Sequence, residues 1–474
     1  MGLVIANNVP SLRAQHSLQR ANDGLSRSLE RLSTGLKVNR GADGPSTLVI
    51  SEKQRAQISG LEAAINNAEK GISLIQTAEG ALSEISSLLV RIRSLAIDSA
   101  NSGVNDDDAM AANQAELENA IQTIDRIAEN TQFATKKLLN GAGGITGIST
   151  NSDVHVLRAT TDTVIGNYDV TVTTPAERAN VTATTGQTAA LANDEVLNIN
   201  GVDIELVAGL TQSEVIARIN DFTSQTGVIA DDQGAGGETR LYTEAFGSKA
   251  ELVVYSNQAN AVDSTGFGTS RQEDTGVDIE GTIGGVDADG RGEVMIAREG
   301  DVRGLTLSIA SDTGANAIQT VSGASIANVS VADNRLHFQV GPNQYQLVSV
   351  AIDRVNPEAL GLDIEGNLFT RLSQVDVTSG EKAQHALEVI DAAIDDITNT
   401  RGELGAFQSY ALQSTANNLR VTLENTVNAE SVIRDTDFAS EIANFTKQQV
   451  LVQAGTSVLS SANQSSQLVL SLLG

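Results

Sequence analysis

The side chains best suited to chemistry are scattered along this chain. Its four histidines stand at positions 16, 155, 337 and 385, far apart and with no second metal ligand close by. No His-Glu-x-x-His motif occurs, so a zinc-protease centre has no support. Neither a Gly-x-Ser-x-Gly nucleophile elbow nor a Walker loop is present. The absence of cysteine removes thiol chemistry and disulfides. Two acidic clusters invite a cation reading. Asp287-Ala288-Asp289-Gly290 resembles part of a calcium loop but lacks the later ligands, and a tight turn is the simpler reading. Asp106-Asp107-Asp108 could bind a cation; the alternative is a solvated turn between helices that also favours a helix start. The glycines from Gly141 to Gly147 have no basic residue close behind them and read as a helix exit rather than a phosphate cradle. No catalytic constellation emerges, and neither a cofactor nor a metal is expected.

What recurs at regular spacing is apolar. Phe438, Ile442, Phe445, Val452, Leu459, Leu470 and Leu473 follow one another at intervals of three, four or their sums, which predicts one face of a helix. Glu441 and Lys447 are the only charges from Phe438 to Gly474. Near the other end, Leu18, Leu25, Leu29, Leu32 and Leu36 form a matching stripe. Chain ends are ordinarily polar and frayed. Burial of these side chains does not by itself offset the entropy of ordering such long helices. Both terminal helices are therefore expected to order only when docked.

Two helical rods adjoin these ends. Ile58, Leu61, Ile65, Ala68, Ile72 and Ile75 keep a strict alternation of three and four, and Leu82 and Leu89 continue it at sevens, which is a heptad seam within one helix over 46–100. At about 1.5 Å per residue that helix is a rod of roughly 80 Å. Asn39 to Pro45 breaks the chain before it, with Pro45 placed to open the helix. A second helix carries Leu117, Ile121, Ile124 and Ala128 on one face. On the C-terminal side Leu387, Ile390, Ile394 and Ile397 start a seam that Leu404, Leu412, Leu419 and Leu423 continue less strictly. Thr378 and Glu381 have capping-box spacing at its start, and Asn428 to Asp437 reads as a polar break before the last helix. Heptads often mean an intramolecular bundle with no further function. That reading and self-assembly stand level for the rods, whereas the terminal helices favour self-assembly.

Between the helical ends the period changes to two. Leu197 and Ile199, then Asn200-Gly201, then Val202, Ile204 and Leu206 predict a hairpin with a type I′ turn. Thr211 to Phe222 reads as a short helix capped by Thr211 and Glu214, and strands are expected at Arg240–Tyr242 and Glu251–Tyr255. The expected fold is α+β and multidomain: a long antiparallel, coiled-coil-like helical bundle made by both chain ends, with an inserted β-rich outer region. The boundaries are 1–44 for the N-terminal helix segment, 45–140 for the first rod, 141–380 for the β-rich insertion (with a small ββαβ unit at about 190–256), 381–434 for the second rod and 435–474 for the C-terminal helix segment.

Charge supports that division. The formal net charge is −28, of which −20 falls in 141–380. An acidic middle argues against a nucleic-acid partner and suits a solvated surface. No run of 18 apolar residues occurs, so no helix is expected to insert in a membrane. Met1 to Ser11 lacks a basic region followed by an apolar core, so a cleavable secretory signal is not expected.

Specific motifs carry a resemblance. Ser28-Leu29-Glu30-Arg31-Leu32-Ser33-Thr34-Gly35-Leu36-Lys37-Val38-Asn39 resembles a signature segment of bacterial flagellins, as do Gly71–Leu82 and Asn130-Thr131-Gln132-Phe133. At the other end Asp435-Thr436-Asp437-Phe438-Ala439-Ser440-Glu441, Gln453–Leu459 and Leu470–Leu473 resemble the same family. The match covers about 235 residues at the two ends. The stretch from Leu197 to about Ser256 is similar to a small repeat unit of flagellin and hook-cap proteins.

The resemblance implies a structural subunit of the extracellular flagellar filament, which serves motility. It implies terminal helices lining an inner tube, rods forming the next shell and the middle facing water. It also implies export without a cleaved signal through the flagellar export machinery, a cytoplasmic export chaperone on the C-terminal helix, and filament cap and hook-junction proteins as partners. A host innate immune receptor is a further implied partner, with Arg91, Leu95 and Glu116 matching the family's contact pattern while Val90, Ser94 and Ala120 depart from it. Weakened recognition is expected. The alternatives are a hook–filament junction protein and a surface adhesin acting through the middle region. An enzyme is the weakest reading.

Overall fold

The computed structural model describes residues 8–312 and 318–473, with side chains described as far as 464. The chain forms two compact units. One gathers the described residues of 1–69, 339–347 and 413–474; the other comprises 70–338 and 348–412.

In the first unit, α1 (Val9–Thr34) starts at Asn8, whose side chain accepts from the Ser11 amide, and stops at Gly35. Gly35 has φ 74°, a left-handed conformation in which a side chain would be strained. Leu36 therefore lies beyond the helix and not on its stripe: it forms an isolated antiparallel bridge with Asp435. Pro45 opens α2 (Pro45–Ser99), as its fixed φ favours. Leu61 and Ile65 of α2 pack with Leu419 of a later helix (Ser414–Arg434). Arg420 pairs with Glu69 at 2.6 Å and Arg434 with Glu52 at 2.9 Å. Leu61 is 1% exposed. Leu61→Ala should cost about 2–5 kcal/mol, because the cavity adds to the lost transfer energy. Urea unfolding of the two chains measures it.

In the second unit, α3 (Asp107–Asn130) begins at Asp106, whose side chain accepts from the Ala109 amide, so the aspartate triplet starts a helix. Counting α4 (Gln212–Asn220) and α5 (Thr223–Thr226) in the β-rich region, the next helix is α6 (Gly380–Ala406). Its cap is Ser379, not Thr378; the Thr378 hydroxyl donates to the Ser224 carbonyl instead. Leu82, Leu89, Leu117, Ile124, Ile390, Ile397 and Leu404 are fully buried, and Ile75 nearly so. Ile58, Ile72, Leu387 and Ile394 stand half-buried at the edge of the seams. Salt bridges link α2 to both neighbours: Arg91 to Glu116 at 2.7 Å and Arg93 to Asp391 at 2.5 Å.

The loosened spacing from Leu404 to Leu412 has a structural reason. Phe407–Gln413 is π-helical, and its wider turns absorb the residue by which this interval exceeds a heptad. The helix after it, α7 (Ser414–Arg434), runs through 428–434, so the polar break before α8 (Phe438–Leu473) is confined to Asp435–Asp437. Asn428 is exposed and the Ser431 hydroxyl donates to the Asp435 carboxylate at 2.5 Å, so neither interrupts the helix, which Arg434 anchors to Glu52.

Among the described residues the β-rich region has two large cores and a small cluster of Leu157, Val294, Ile296 and Leu362. An eight-stranded sheet of antiparallel neighbours has the order Ile145–Ser149, Gly323–Asp333, Gly166–Thr174, Glu280–Ile283, Val286–Arg291, Val294–Ile296, Thr306–Ile309, Val154–Arg158. Asp287 to Gly290 is strand here, not a tight turn; the turn falls at Gly284 and Gly285, both with positive φ. Asp289 accepts from Arg298 at 2.7 Å. The second core, around Leu197, Ile204, Leu241 and Val254, includes Val215 and Ile219 of α4. Its hairpin turns at Asn200 (φ 49°) and Gly201 (φ 85°), as the I′ reading requires. Thr211 and Glu214 form the capping box of α4. The small unit is wider than 190–256: strands Asn180–Thr182 and Gln272–Thr275 belong to its sheets, and Phe267 to its core.

Burial raises the carboxyls of Asp353 and Asp396 above the ordinary range; Arg158, 3.2 Å from Asp396, opposes the shift, and Glu403 adds to it at Asp353. A raised native carboxyl stabilises the fold below its unfolded pKa, and that contribution is lost as pH climbs through the native value. Asp353→Asn should therefore raise the melting temperature at pH 7 and leave it nearly unchanged at pH 3. Calorimetry at the two pH values checks the sign.

Candidate assembly surface

The terminal helices α1 and α8 pair antiparallel along their lengths. Ser11 Oγ donates to Asn463 Oδ1 at 2.9 Å at one end. At the other, the Thr436 amide donates to the Gly35 carbonyl at 2.9 Å and the Lys37 amide to the Arg434 carbonyl at 2.6 Å. Between them Leu18 lies over Gly455 and Gln448 over Gly24. Arg31 pairs with Glu441 at 3.6 Å.

The seam differs from the leucine stripe. Its buried positions on α1 are Ser11, Ala14, Ala21 and Ser28, interleaved with half-buried Leu18, Leu25 and Leu32. Those seven keep a strict three-four alternation. The α8 side follows the same rule through Glu441, Phe445, Gln448, Val452, Gly455, Leu459 and Ala462. Reasoning on large apolar residues alone misses the small and polar members; the alternation counted without regard to size would have found them.

The expected single face on each helix is therefore two. Leu18, Leu25, Leu32, Phe445, Val452 and Leu459 flank or fill the seam. Leu29 and Ile442 point away from it, at 50% and 53% exposure, while Phe438, also 53% exposed, lies over Gly35 at the end of the seam. Leu12, Val450, Leu451 and Val458 are exposed with them. The physical reason is geometric: Leu29 and Ile442 stand one position past Ser28 and Glu441, off the three-four row that meets the partner helix. Leu470 and Leu473 lie outside the residues whose side chains are described.

The three expected receptor contacts do not share one surface. Arg91 and Glu116 are exposed and bound to each other, but Leu95 is 7% exposed, buried by its place on the seam side of α2. The scattered histidines stay scattered: His16 is on α1, His155 and His337 are on strands and His385 is on α6. Among the described residues no group of three or more His, Cys, Asp or Glu could hold a metal ion, and no helix is long and apolar enough to cross a membrane.

The pairing defines a class of chain: one whose two ends close into an antiparallel helix pair with apolar side chains left outward, the β-rich region lying between them in sequence. The family description "Bacterial flagellin N-terminal helical region" matches residues 5–143, and "Bacterial flagellin C-terminal helical region" matches 387–473. The B-type flagellin of Pseudomonas aeruginosa is 31% identical over 493 aligned residues, covering 100% of each chain. A flagellin of Salmonella typhimurium is 30% identical over 529, also with 100% of each chain covered. Among solved structures, FliC from Burkholderia pseudomallei aligns with 72% of this chain and 99% of that one, at 17% identity and a TM-score of 0.24. The chain belongs to the bacterial flagellin family.

Proposed function

We propose that this protein is a structural subunit of the extracellular bacterial flagellar filament, polymerising with copies of itself to serve motility. The full-length likeness to curated flagellins carries the reading, and the outward apolar side chains of the paired ends support it. Residues 1–44 and 435–474 form the inner core, 45–140 and 381–434 the surrounding shell, and 141–380 the solvated exterior. Subunits add through non-closing contacts, which generates a helical polymer rather than a ring.

The fully buried positions of α1 on the seam are all small, Ser11, Ala14, Ala21 and Ser28, and bury little apolar area, while the leucines between them are only half-buried. The pair is accordingly marginal in the free chain and orders on assembly, when neighbouring subunits cover Leu29, Phe438 and Ile442. A chain with unordered ends also suits export in an unfolded state, with a cytoplasmic chaperone shielding the C-terminal segment, and with the hook-junction and cap proteins bounding the filament. Arg91 and Glu116 form the accessible part of any innate-receptor contact. Electron microscopy of the purified chain after seeding tests the function: long filaments are expected, and oligomers of junction length only would overturn it.

A further inference from the structure

A seam of strict three-four alternation has a weakness: slipping by one heptad preserves its pattern. Something must distinguish the native register from its neighbours. Glu441 is the candidate, because it is a charged residue buried in the seam, with its side chain 9% exposed. Its partner Arg31 is 32% exposed and 3.6 Å away. Two steric pairs keep the same register. A Cβ on Gly24 would come within 2.8 Å of Gln448 Cδ, and one on Gly455 within 3.3 Å of Leu18.

We propose that the Arg31–Glu441 ion pair, with Gln448 seated over Gly24, selects the register in which α1 and α8 join. A one-heptad slip in one direction sets Glu441 against Gly24 and Arg31 against Arg434. The opposite slip sets Glu441 against Val38 and Arg31 against Gln448. Neither reproduces the 31–441 pair: the first sets Glu441 against a glycine and the second carries it past the end of α1 at Thr34, and a buried carboxylate parted from its guanidinium costs more than the pair itself contributes. The stabilising worth of the pair is thus secondary to its discrimination between registers. The device rests on the filament reading only for its purpose, since register sets where the outward apolar side chains fall along the polymer.

The chain has no cysteine, so introduced pairs report register cleanly by disulfide trapping. The native register sets Ala21 opposite Val452; the slipped ones set it opposite Leu459 or Phe445. Full-length chains carrying A21C with V452C, L459C or F445C are oxidised as polymer and the cross-linked fractions compared. In the otherwise unaltered chain the 21–452 product should dominate. Arg31→Glu should lower the ratio of native to slipped product about tenfold, and adding Glu441→Arg should restore it. If Arg31→Glu blocks polymerisation, recovery of polymer in the double reversal is the readout. An unchanged ratio in Arg31→Glu, or a double reversal that restores neither ratio nor polymer, overturns the proposal. Failure of the unaltered chain to polymerise counts against the filament reading instead, and register is then read on the soluble chain.

Discussion

Removing residues 438–474 abolishes polymerisation and leaves the rest of the chain folded. The described contacts of α8 run to α1 and the turn after it: the Arg31 pair, the Ser11 and Asn8 hydrogen bonds and the packing around Gly24, Gly35 and Gly455. The two β-rich cores draw on residues between 145 and 331, and the Leu61–Leu419 cluster draws on α2 and α7. None of them loses a member. The truncated chain should therefore stay soluble, with helical circular dichroism reduced by no more than the share of α1 and α8. Its pelletable fraction after seeding should fall to background. A truncated chain that still pellets as filament would place the assembly determinants elsewhere.

Ile442→Ser and Leu29→Ser raise the critical concentration for assembly without altering the free chain. Both side chains face away from the seam and are about half exposed, so the free subunit loses little packing. In the polymer each loses burial of its exposed half, worth about 0.7–1.5 kcal/mol. At 1.4 kcal/mol per factor of ten, each substitution should raise the critical concentration about threefold to tenfold. Sedimentation across a concentration series measures this. Ser460→Ala, also exposed and without a large side chain, serves as the neutral control. Equal critical concentrations for Ile442→Ser and the control would show that this face stays solvated in the filament.

The rods were legible because a single periodicity of large side chains makes their seams. Leu61, Leu82, Leu89, Ile390 and Ile397 stand at heptad spacing and are buried where that spacing puts them. The terminal helices carry two apolar faces, one for the intramolecular partner and one outward, and periodicity read from size merges them. Leu29 and Ile442 were read on one face with Leu25 and Phe445 for that reason, while Ala21, Ser28 and Gln448 were overlooked. Leu36 was misplaced because the stripe continues through a helix stop that Gly35 alone signals. In the middle region the Asn200-Gly201 hairpin and the α4 capping box are local devices, and both were readable. The eight-stranded sheet is not local. Val154–Arg158 pairs with Thr306–Ile309, and Ile145–Ser149 with Gly323–Asp333, and no short-range pattern announces partners so distant in sequence. The breadth of the smaller β unit was missed likewise, since Asn180–Thr182 and Gln272–Thr275 join it from outside the alternating stretch.

The central claim is that both chain ends order by joining the polymer. Amide hydrogen exchange on the free chain and on the filament tests it most directly. The account predicts rapid exchange across 9–34 and 438–464 in the free chain and strong protection in the filament, while the amides around Leu89, Ile124 and Ile397 stay protected in both states. Equal protection of the terminal helices in the free chain and the filament would contradict it.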